Sequence, residues 1–288
     1  MTDFDLFNGD ADGIFSLLQL RQVEPRPDAQ RVTGVKRDTE LFRKIAGSAK
    51  AGDRITALDI GMARNLPGLH SVLDAGARVF FCDYHATGDI PEHPGLTVLS
   101  DASPRICTAY LIDQYLQGAN PAWAICGAYG ENFQTLASRI AADRNVSVPL
   151  NRLRELGELV NYNAYGLTVE DLHFHPADLY DRLAAYPGPM AFIEDAPDAL
   201  DTLRQGHRSD WEILAERLGF ALSEMEVWLQ IVEDMYYPEH PELDGVVLQQ
   251  DGFLDKDLIP VEGLAESERP IVEHWSWDRI LRSVYIKQ

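Results

Sequence analysis

The sequence predicts an α/β fold in which a doubly wound parallel sheet is followed by a mainly helical region. Three observations lead to this prediction. Over the first hundred residues, short apolar runs alternate with segments of helical periodicity, a pattern typical of right-handed βαβ units. Aspartates come directly after several of the predicted strands. Beyond Ser103-Pro104 the helical periodicity dominates.

The positions of the strands and helices follow from these periodicities. The predicted strands are Phe4–Phe7, Arg31–Val35, Arg54–Leu58, Ala77–Cys82 and Thr97–Leu99. The helices predicted between strands are Ile14–Gln22, Thr39–Ala46 and Asn65–Ala75. The later helices are predicted at Arg105–Gln117, Phe133–Asp143, Pro149–Val160, Pro176–Ala185, Trp211–Leu218 and Glu224–Met235.

A cluster of turn residues at Pro187-Gly188-Pro189 marks a predicted domain boundary. We expect a first domain over residues 1–188 and an acidic, mainly helical region over 189–288, which could be an incomplete second domain. The net charge is −21, and the second region holds 22 acidic and 8 basic residues. Because long nucleic acids are held largely by Lys and Arg, this charge excludes duplex DNA as an expected partner. A small phosphate-containing substrate or a short single-stranded oligonucleotide is expected instead.

Other features of the composition indicate a soluble, cytoplasmic protein. The first residues lack a basic-then-apolar signal pattern, and no apolar run approaches the roughly 18 residues of a membrane span. We therefore expect no membrane partner, and a homodimer stays open. The three cysteines are far apart and odd in number, so they indicate a reducing compartment and core positions rather than disulfides.

Aspartates follow three predicted strands, in the segments Asn8–Gly13, Leu58-Asp59 and Cys82-Asp83. In a doubly wound sheet the carboxyl ends of neighbouring strands face one crevice, so these carboxylates should converge. Converging buried carboxylates repel one another, and a divalent cation removes that cost. Oxygen ligands suit Mg²⁺ or Mn²⁺ better than Zn²⁺. Asp10 and Asp12 are two residues apart, so in extended backbone they would point the same way.

Four motifs resemble those of the DHH phosphoesterase family, in the family's order and spacing. They are Asn8-Gly9-Asp10-Ala11-Asp12-Gly13, Asp59, Asp83-Tyr84-His85 and Gly127-Ala128-Tyr129-Gly130-Glu131-Asn132. The match covers roughly residues 3–165. The resemblance implies a metal-dependent phosphodiesterase or phosphatase that acts on a small nucleotide or short oligonucleotide. It also implies one or two Mn²⁺ or Mg²⁺ ions.

The resemblance assigns a role to each motif position. The implied ligands of a first ion are Asn8, Asp10 and Asp59. The implied ligands of a second ion are Asp12, Asp59, Tyr84 and Glu131, with Asp59 bridging the two. The implied catalytic residues are Asp59, Asp83 and His85. Among them, Asp83 would orient its neighbours and His85 would contact a substrate phosphate.

Departures from the family pattern keep a second hypothesis open. Asn8 and Tyr84 stand where histidine is usual, and Glu131 stands where aspartate is usual. A phenol is a poor metal ligand at neutral pH, and the family's glycine-rich substrate loop is missing. The chain, a fragment or a shortened family member, could therefore be a degenerate DHH domain that binds a metal or nucleotide without catalysis.

Four further residues are candidates for substrate binding. Lys36 and Arg37 follow the second strand at the same sheet edge, where they could meet a phosphate or form a solvated pair capped by Asp38. Asn161 and Asn163 belong to a polar cluster after a helix, where they could line the cleft or satisfy a turn.

Overall fold

In the computed structural model, the residues described are 1–85, 88–101, 103 and 105–218. The strands among them are β1 (Asp3–Phe7), β2 (Gln30–Val32), β3 (Arg54–Leu58), β4 (Arg78–Asp83) and β5 (Leu96–Ser100). They form a five-stranded sheet in the order β2-β1-β3-β4-β5, and all paired strands are parallel. The strand order changes direction between β1 and β3, because β2 lies on one side of β1 whereas β3, β4 and β5 follow on the other. The carboxyl ends of β1 and β3 therefore border a crevice. The predicted fold class is confirmed.

Helices alternate with the strands from β1 to β4, no described helix separates β4 from β5, and the remaining helices follow one another after β5. The described helices are α1 (Ala11–Val23), α2 (Phe42–Ile45), α3 (Met62–Asp74), α4 (Thr108–Tyr115), α5 (Pro121–Gly130), α6 (Gln134–Asp143), α7 (Leu150–Asn163), α8 (Pro176–Ala184), α9 (Pro189–Asp195) and α10 (Pro197–Leu218). A 3-10 turn spans Val169–Asp171. The helix predicted at Glu224–Met235 lies outside the described residues.

Several elements differ from the sequence prediction, among them β2, α2 and α5; in addition, α9 was not predicted, and α10 begins at Pro197 rather than at Trp211. Strand β2 ends at Val32 because the chain then leaves the sheet, and the backbone N–H of Lys36 donates to Ala164 O over 3.0 Å. Helix α2 is a single turn rather than eight residues. Helix α5 was not predicted because its residues Trp123–Gly130 are buried on all sides, which removes the amphipathic signal.

Alternate residues of each strand face opposite layers of helices. On one face, Leu6, Ile55 and Phe81 join a core with residues of α2 and α3. On the other face, α1 packs on β1 and β3. A buried ion pair fixes this contact: Arg21 Nε donates to Asp5 Oδ2 over 3.0 Å. Helix α1 is therefore held firmly over the strands whose ends carry the aspartates.

Glycines allow α1, α5 and α7 to approach closely. A Cβ on Gly157 of α7 would lie 2.2 Å from Cys126 O of α5. A Cβ on Gly130 of α5 would lie 2.3 Å from Ala11 Cβ of α1. Neither distance can accommodate a methyl group, so glycine is required at both crossings. The C-terminal end of α5 is thereby brought against the first turn of α1.

The chain divides into two compact units, residues 1–200 and 201–288. The predicted boundary at residue 188 stays a prediction. All three cysteines are buried and free, as expected. Among the described helices, none combines the length and apolar character that a bilayer span needs.

Candidate metal centre

Five carboxylates lie buried around the carboxyl ends of β1, β3 and β4. They are Asp10, Asp12, Asp59, Asp83 and Glu131, and none is more than 3% exposed. We call them the carboxylate cluster. Asp10, Asp59 and Asp83 come from the strand ends or the turns that follow, Asp12 lies in the first turn of α1, and Glu131 directly follows α5. The predicted convergence of the strand-end aspartates is therefore what the fold produces.

The turn after β1 places Asn8 and Asp10 side by side. Asp10 caps α1, since its Oδ1 accepts a hydrogen bond from the backbone N–H of Gly13 over 3.1 Å. Asn8 Nδ2 donates to Asp10 Oδ2 over 3.2 Å. A Cβ on Gly13 would lie 2.2 Å from Asn8 O, so only glycine fits this tight turn. The expectation of extended backbone here is wrong, because α1 begins at Ala11 and places Asp12 in its first turn.

Asp12 joins the cluster to the start of α4. Its two carboxylate oxygens accept from the backbone N–H groups of Thr108 and Ala109, each over 2.7 Å. Burial, with the charge of Asp10, raises the pKa of Asp12 to about 6, although these two hydrogen bonds oppose the rise. Asp12 therefore satisfies backbone donors at a helix N-terminus, and its predicted role as a metal ligand stays a prediction.

Asp59 lies at the middle of the cluster in an uncommon backbone conformation. Its φ is 60°, in the left-handed region that Asp and Asn enter more readily than most residues. The Thr108 hydroxyl donates to Asp59 Oδ1 over 3.1 Å. Burial and the charges of the neighbouring carboxylates raise the pKa of Asp59 well above its usual range. Thr108 was not predicted as a site residue, because the predicted helix began at Arg105 and placed Thr108 within its first turn, whereas α4 begins at Thr108.

Asp59 and Asp83 of the cluster, together with His85 beside them, lie close enough to hold a metal ion. One potential ligand atom from each lies within 4.8 Å of the others. The distance between His85 Nδ1 and Asp83 Oδ1 is 2.7 Å, and His85 Nδ1 lies 3.9 Å from Asp59 Oδ1. Burial acts to lower the pKa of His85, but the hydrogen bond and charge of Asp83 outweigh it and raise the pKa. We call these three residues the open position.

Tyr84 is buried beside the open position. Its ring centroid lies 4.2 Å from that of His85 and 6.3 Å from that of Phe133, which it meets edge-on. Burial and the charges of Glu131 and Asp59 raise the pKa of the Tyr84 phenol well above its usual value. In the metal-free protein this phenol stays protonated at neutral pH. Its predicted role as a ligand stays a prediction.

Lys36 reaches into the cluster from the loop after β2. Its Nζ lies 2.8 Å from Asp10 Oδ2, 2.6 Å from Glu131 Oε1 and 3.2 Å from Asn161 Oδ1. Burial acts to lower the pKa of Lys36, but the charges of Asp10 and Glu131 outweigh it and hold the pKa well above its usual value. Burial also raises the pKa of Glu131 to about 8, against the effect of Lys36. We call Lys36 and its three oxygen neighbours the lysine position.

The other predicted substrate-binding residues lie in different surroundings. Arg37 lines a cleft of about 600 Å³ together with Asp38 and Lys44. Asn163 is engaged with the backbone of Phe174, to which it donates over 2.9 Å and from which it accepts over 3.0 Å. Of the four candidates, Lys36 and Asn161 therefore meet at the cluster, whereas Asn163 supports a loop.

The donor set of the cluster fits Mn²⁺ or Mg²⁺. Two buried oxygens, Asn8 Oδ1 and Asp83 Oδ2, have no hydrogen-bond partner among the described residues. Buried polar atoms are normally satisfied, so these two oxygens are available as ligand atoms, and the predicted ion stays a prediction. Hard divalent cations prefer oxygen ligands, and Mn²⁺ also accepts an imidazole.

The fold is similar to two solved structures. One is exonuclease RecJ bound to manganese, which is 16% identical with a TM-score of 0.44; the likeness covers 75% of this chain and 63% of that chain. The other is RecJ in complex with Mn²⁺ from Thermus thermophilus, which is 18% identical with a TM-score of 0.42, over 75% and 36% of the two chains. At these scores the likeness carries no argument about the site or its function.

The C-terminal third of the chain is similar to a different group of proteins. Residues 191–288 match the glycosyl hydrolase family 65 central catalytic domain. Maltose phosphorylase of Bacillus subtilis (strain 168) is 54% identical over 65 residues, which are 23% of this chain and 8% of that protein.

Two further phosphorylases are similar over longer stretches. Alpha,alpha-trehalose phosphorylase of Thermoanaerobacter brockii is 30% identical over 106 residues, or 36% of this chain and 14% of that protein. Kojibiose phosphorylase of Halothermothrix orenii is 28% identical over 135 residues, or 46% of this chain and 15% of that protein. The chain thus spans less than a sixth of the length of these relatives.

These similarities correct the function expected from the motifs. A phosphodiesterase or phosphatase acting on nucleotides is the wrong expectation, because the family match and the three phosphorylases point to a glycoside phosphorylase-type function. The resemblance that led to the error ends near residue 165, whereas the family match begins at residue 191.

Proposed function

We propose that residues 1–200 bind a divalent cation, Mn²⁺ or Mg²⁺, at the carboxylate cluster. The observation that supports this most directly is the buried, unpartnered Asp83 Oδ2 beside Asp59 and His85. Of the five buried carboxylates, Asp10 and Glu131 pair with Lys36 and Asp83 lies beside His85, so among the described residues acidic groups outnumber basic ones in a poorly solvated place. Such charge is tolerated only when it is protonated or neutralised by a cation.

The residues that would hold the ion come from two strand ends. Asp59 and Asp83 supply carboxylates from β3 and β4, and His85 supplies an imidazole two residues later. Asn8, whose Oδ1 is unpartnered, is a further oxygen donor on the β1 side. When bound, such an ion supplies a Lewis acid that polarises an oxygen and lowers the pKa of a coordinated water. The resemblance to the DHH motifs supports this choice of ligand types.

The metal proposal is tested by titrating EDTA-treated full-length protein with MnCl₂ and MgCl₂ in a calorimeter. We expect saturable binding, and a rise in melting temperature with metal concentration, since a ligand at 100 times its Kd stabilises a protein by about 2.7 kcal/mol. CaCl₂ serves as a comparison, because Ca²⁺ takes more ligands than this centre offers. Binding no tighter than that of a variant lacking Asp59 would contradict the proposal.

The family match favours a second candidate function for the C-terminal segment. We infer that residues 191–288 take part in the phosphorolysis of a disaccharide. The family model matches this segment, and the three similar proteins are named as disaccharide phosphorylases. The relatives are named for maltose, trehalose and kojibiose, so these three sugars are the substrates to test. Inorganic phosphate would be the second substrate. It would fit the small phosphate-containing partner expected from the sequence, which stays a prediction.

The glycoside proposal is tested by incubating the full chain with each disaccharide, with and without inorganic phosphate. The expected result is release of free monosaccharide that requires phosphate and persists in EDTA, since the metal centre lies in the other part of the chain. Equal release without phosphate would indicate hydrolysis instead. Absence of both turnover and calorimetric binding for all three sugars would overturn this proposal and leave the metal proposal untouched.

A further inference from the structure

At the lysine position, the ammonium group of Lys36 lies where a metal ion could otherwise bind. Lys36 is anchored at its backbone, where its N–H donates to Ala164 O over 3.0 Å. Its side chain is only 14% exposed, and its Nζ lies 5.7 Å from the centre of the Tyr165 ring. The ammonium group is therefore held in place and does not extend into solvent.

The contacts of Lys36 Nζ resemble those of a bound cation. Three oxygens surround it, from the N-cap of α1 (Asp10), the residue after α5 (Glu131) and helix α7 (Asn161). An ammonium group has three N–H donors and no acceptor, so these oxygens use its full hydrogen-bonding capacity. Two carboxylates and an amide oxygen are also the donor set that a hard divalent cation prefers.

The open position differs from the lysine position in one respect. It also brings two carboxylates together, but among the described residues no lysine or arginine reaches them, and Asp83 Oδ2 is left without a partner. The cluster therefore offers two places for positive charge. The chain fills one of them with the ammonium group of Lys36, whereas at the other the described residues place only His85, whose imidazole is itself a type of metal ligand.

We propose that Lys36 acts as a built-in cation that takes one of two cation positions, so that the centre binds a single divalent ion at Asp59, Asp83 and His85. This inference rests on the proposed metal-binding function. It narrows the one or two ions expected from the sequence to one, and it makes Asp10 and Glu131 partners of Lys36 rather than metal ligands.

The test compares Mn²⁺ stoichiometry in the full-length protein and two lysine variants. We expect one ion per chain in the parent and two in Lys36→Met, because removing the ammonium group frees Asp10, Glu131 and Asn161. Lys44→Met is the matched control, since Lys44 pairs with Asp38 and Thr33 outside the cluster. It should bind one ion. Mass spectrometry under native conditions gives the count independently of calorimetry.

If Lys36→Met folds poorly, thermal melts with and without Mn²⁺ still test the inference. Without metal, this variant should melt below the parent because Asp10 and Glu131 lose their counter-charge. Saturating Mn²⁺ should restore most of the difference, since a second ion replaces the lost charge. A variant that stays unstable in Mn²⁺ would show that Lys36 is only a structural ion-pair partner and would overturn the inference.

The outcomes separate this inference from the proposal on which it rests. No ion in the parent contradicts metal binding itself. One ion in both the parent and Lys36→Met, or two ions in the parent, would leave metal binding standing and overturn the role of Lys36. The double variant Lys36→Met/Glu131→Gln removes both charges of one pair. It should return to one ion, with a metal-free melting temperature above that of the single variant.

Discussion

Replacing Asp59 with asparagine removes the central charge of the carboxylate cluster with little change in shape. Asparagine tolerates the φ of 60° at this position and can still accept from the Thr108 hydroxyl. The backbone and the start of α4 should therefore stay in place. The substitution changes charge alone. It should lower the affinity for metal and raise the stability of the metal-free protein.

The size of both effects follows from the distances at the open position. Ligand atoms of Asp59 and Asp83 lie within 4.8 Å, so two unit charges there repel by roughly 3 kcal/mol at an effective dielectric constant of about 20. Removing this repulsion stabilises the metal-free protein, but by less than the full amount, because Asp59 is partly protonated in the parent. We therefore expect the metal-free variant to be more stable than the parent by about 1–3 kcal/mol at pH 8. For a domain of this size that corresponds to a rise in Tm of about 2–10 °C.

Metal affinity should fall in the same variant. Losing a residue that only supports a ligand commonly costs about 10–100-fold in affinity, so loss of Asp59 as a direct ligand should cost at least about 100-fold. Calorimetry with Mn²⁺ and melts in EDTA measure the two effects. Asp101→Asn is the control, because Asp101 is an exposed aspartate just beyond the end of β5, and it should change neither. Unchanged Mn²⁺ affinity in Asp59→Asn would remove Asp59 from the site.

Three further predictions follow from the same region. Tyr84→Phe should change Mn²⁺ affinity by less than about threefold, because a protonated phenol is a poor ligand; a tenfold loss in calorimetry would make Tyr84 a ligand after all. The raised pKa values of Glu131 (about 8) and Asp59 mean that the metal-free folded state binds extra protons. The stability that these two carboxyl groups contribute should therefore be greatest below about pH 4.5 and should fall as the pH rises through 8, while Mn²⁺ affinity rises. Melts and Mn²⁺ titrations from pH 6 to 9 would show both trends. Gly157→Ala should destabilise the protein by about 1–3 kcal/mol in urea unfolding, because its methyl group would meet Cys126 O; an unchanged midpoint would mean that α5 and α7 can separate at no cost.

The strand ends show how far local sequence could lead. Leu58-Asp59 and Cys82-Asp83 each join a buried β-type run to an acidic residue, and parallel strands place such ends at one sheet edge whatever the loops between them do. The glycine at position 13 also indicated a tight turn. The sheet, its crevice and the convergence of carboxylates were therefore predictable from periodicity and strand order.

The motif resemblance was less informative about the function of the chain. It described only the first part of the sequence, whereas residues 191–288 match a glycoside-active family. The motif residues lie at one centre, and their assigned roles as metal ligands stay predictions, since the structure shows only their protein partners. Asp12 is occupied by backbone donors of α4, and Asp10 is paired with a lysine.

Only the tertiary structure decided which groups neutralise the cluster. Lys36 and Glu131 are 95 residues apart, and Asp12 and Thr108 are 96 residues apart. Such contacts depend on how α1, α5 and α7 pack. The hydrophobic periodicity of a single segment does not predict them. The same packing buries α5 on all sides and so removes the signal by which a helix is recognised. The sequence by itself therefore determined where negative charge gathers in this protein, and the packing of distant helices determined how that charge is balanced.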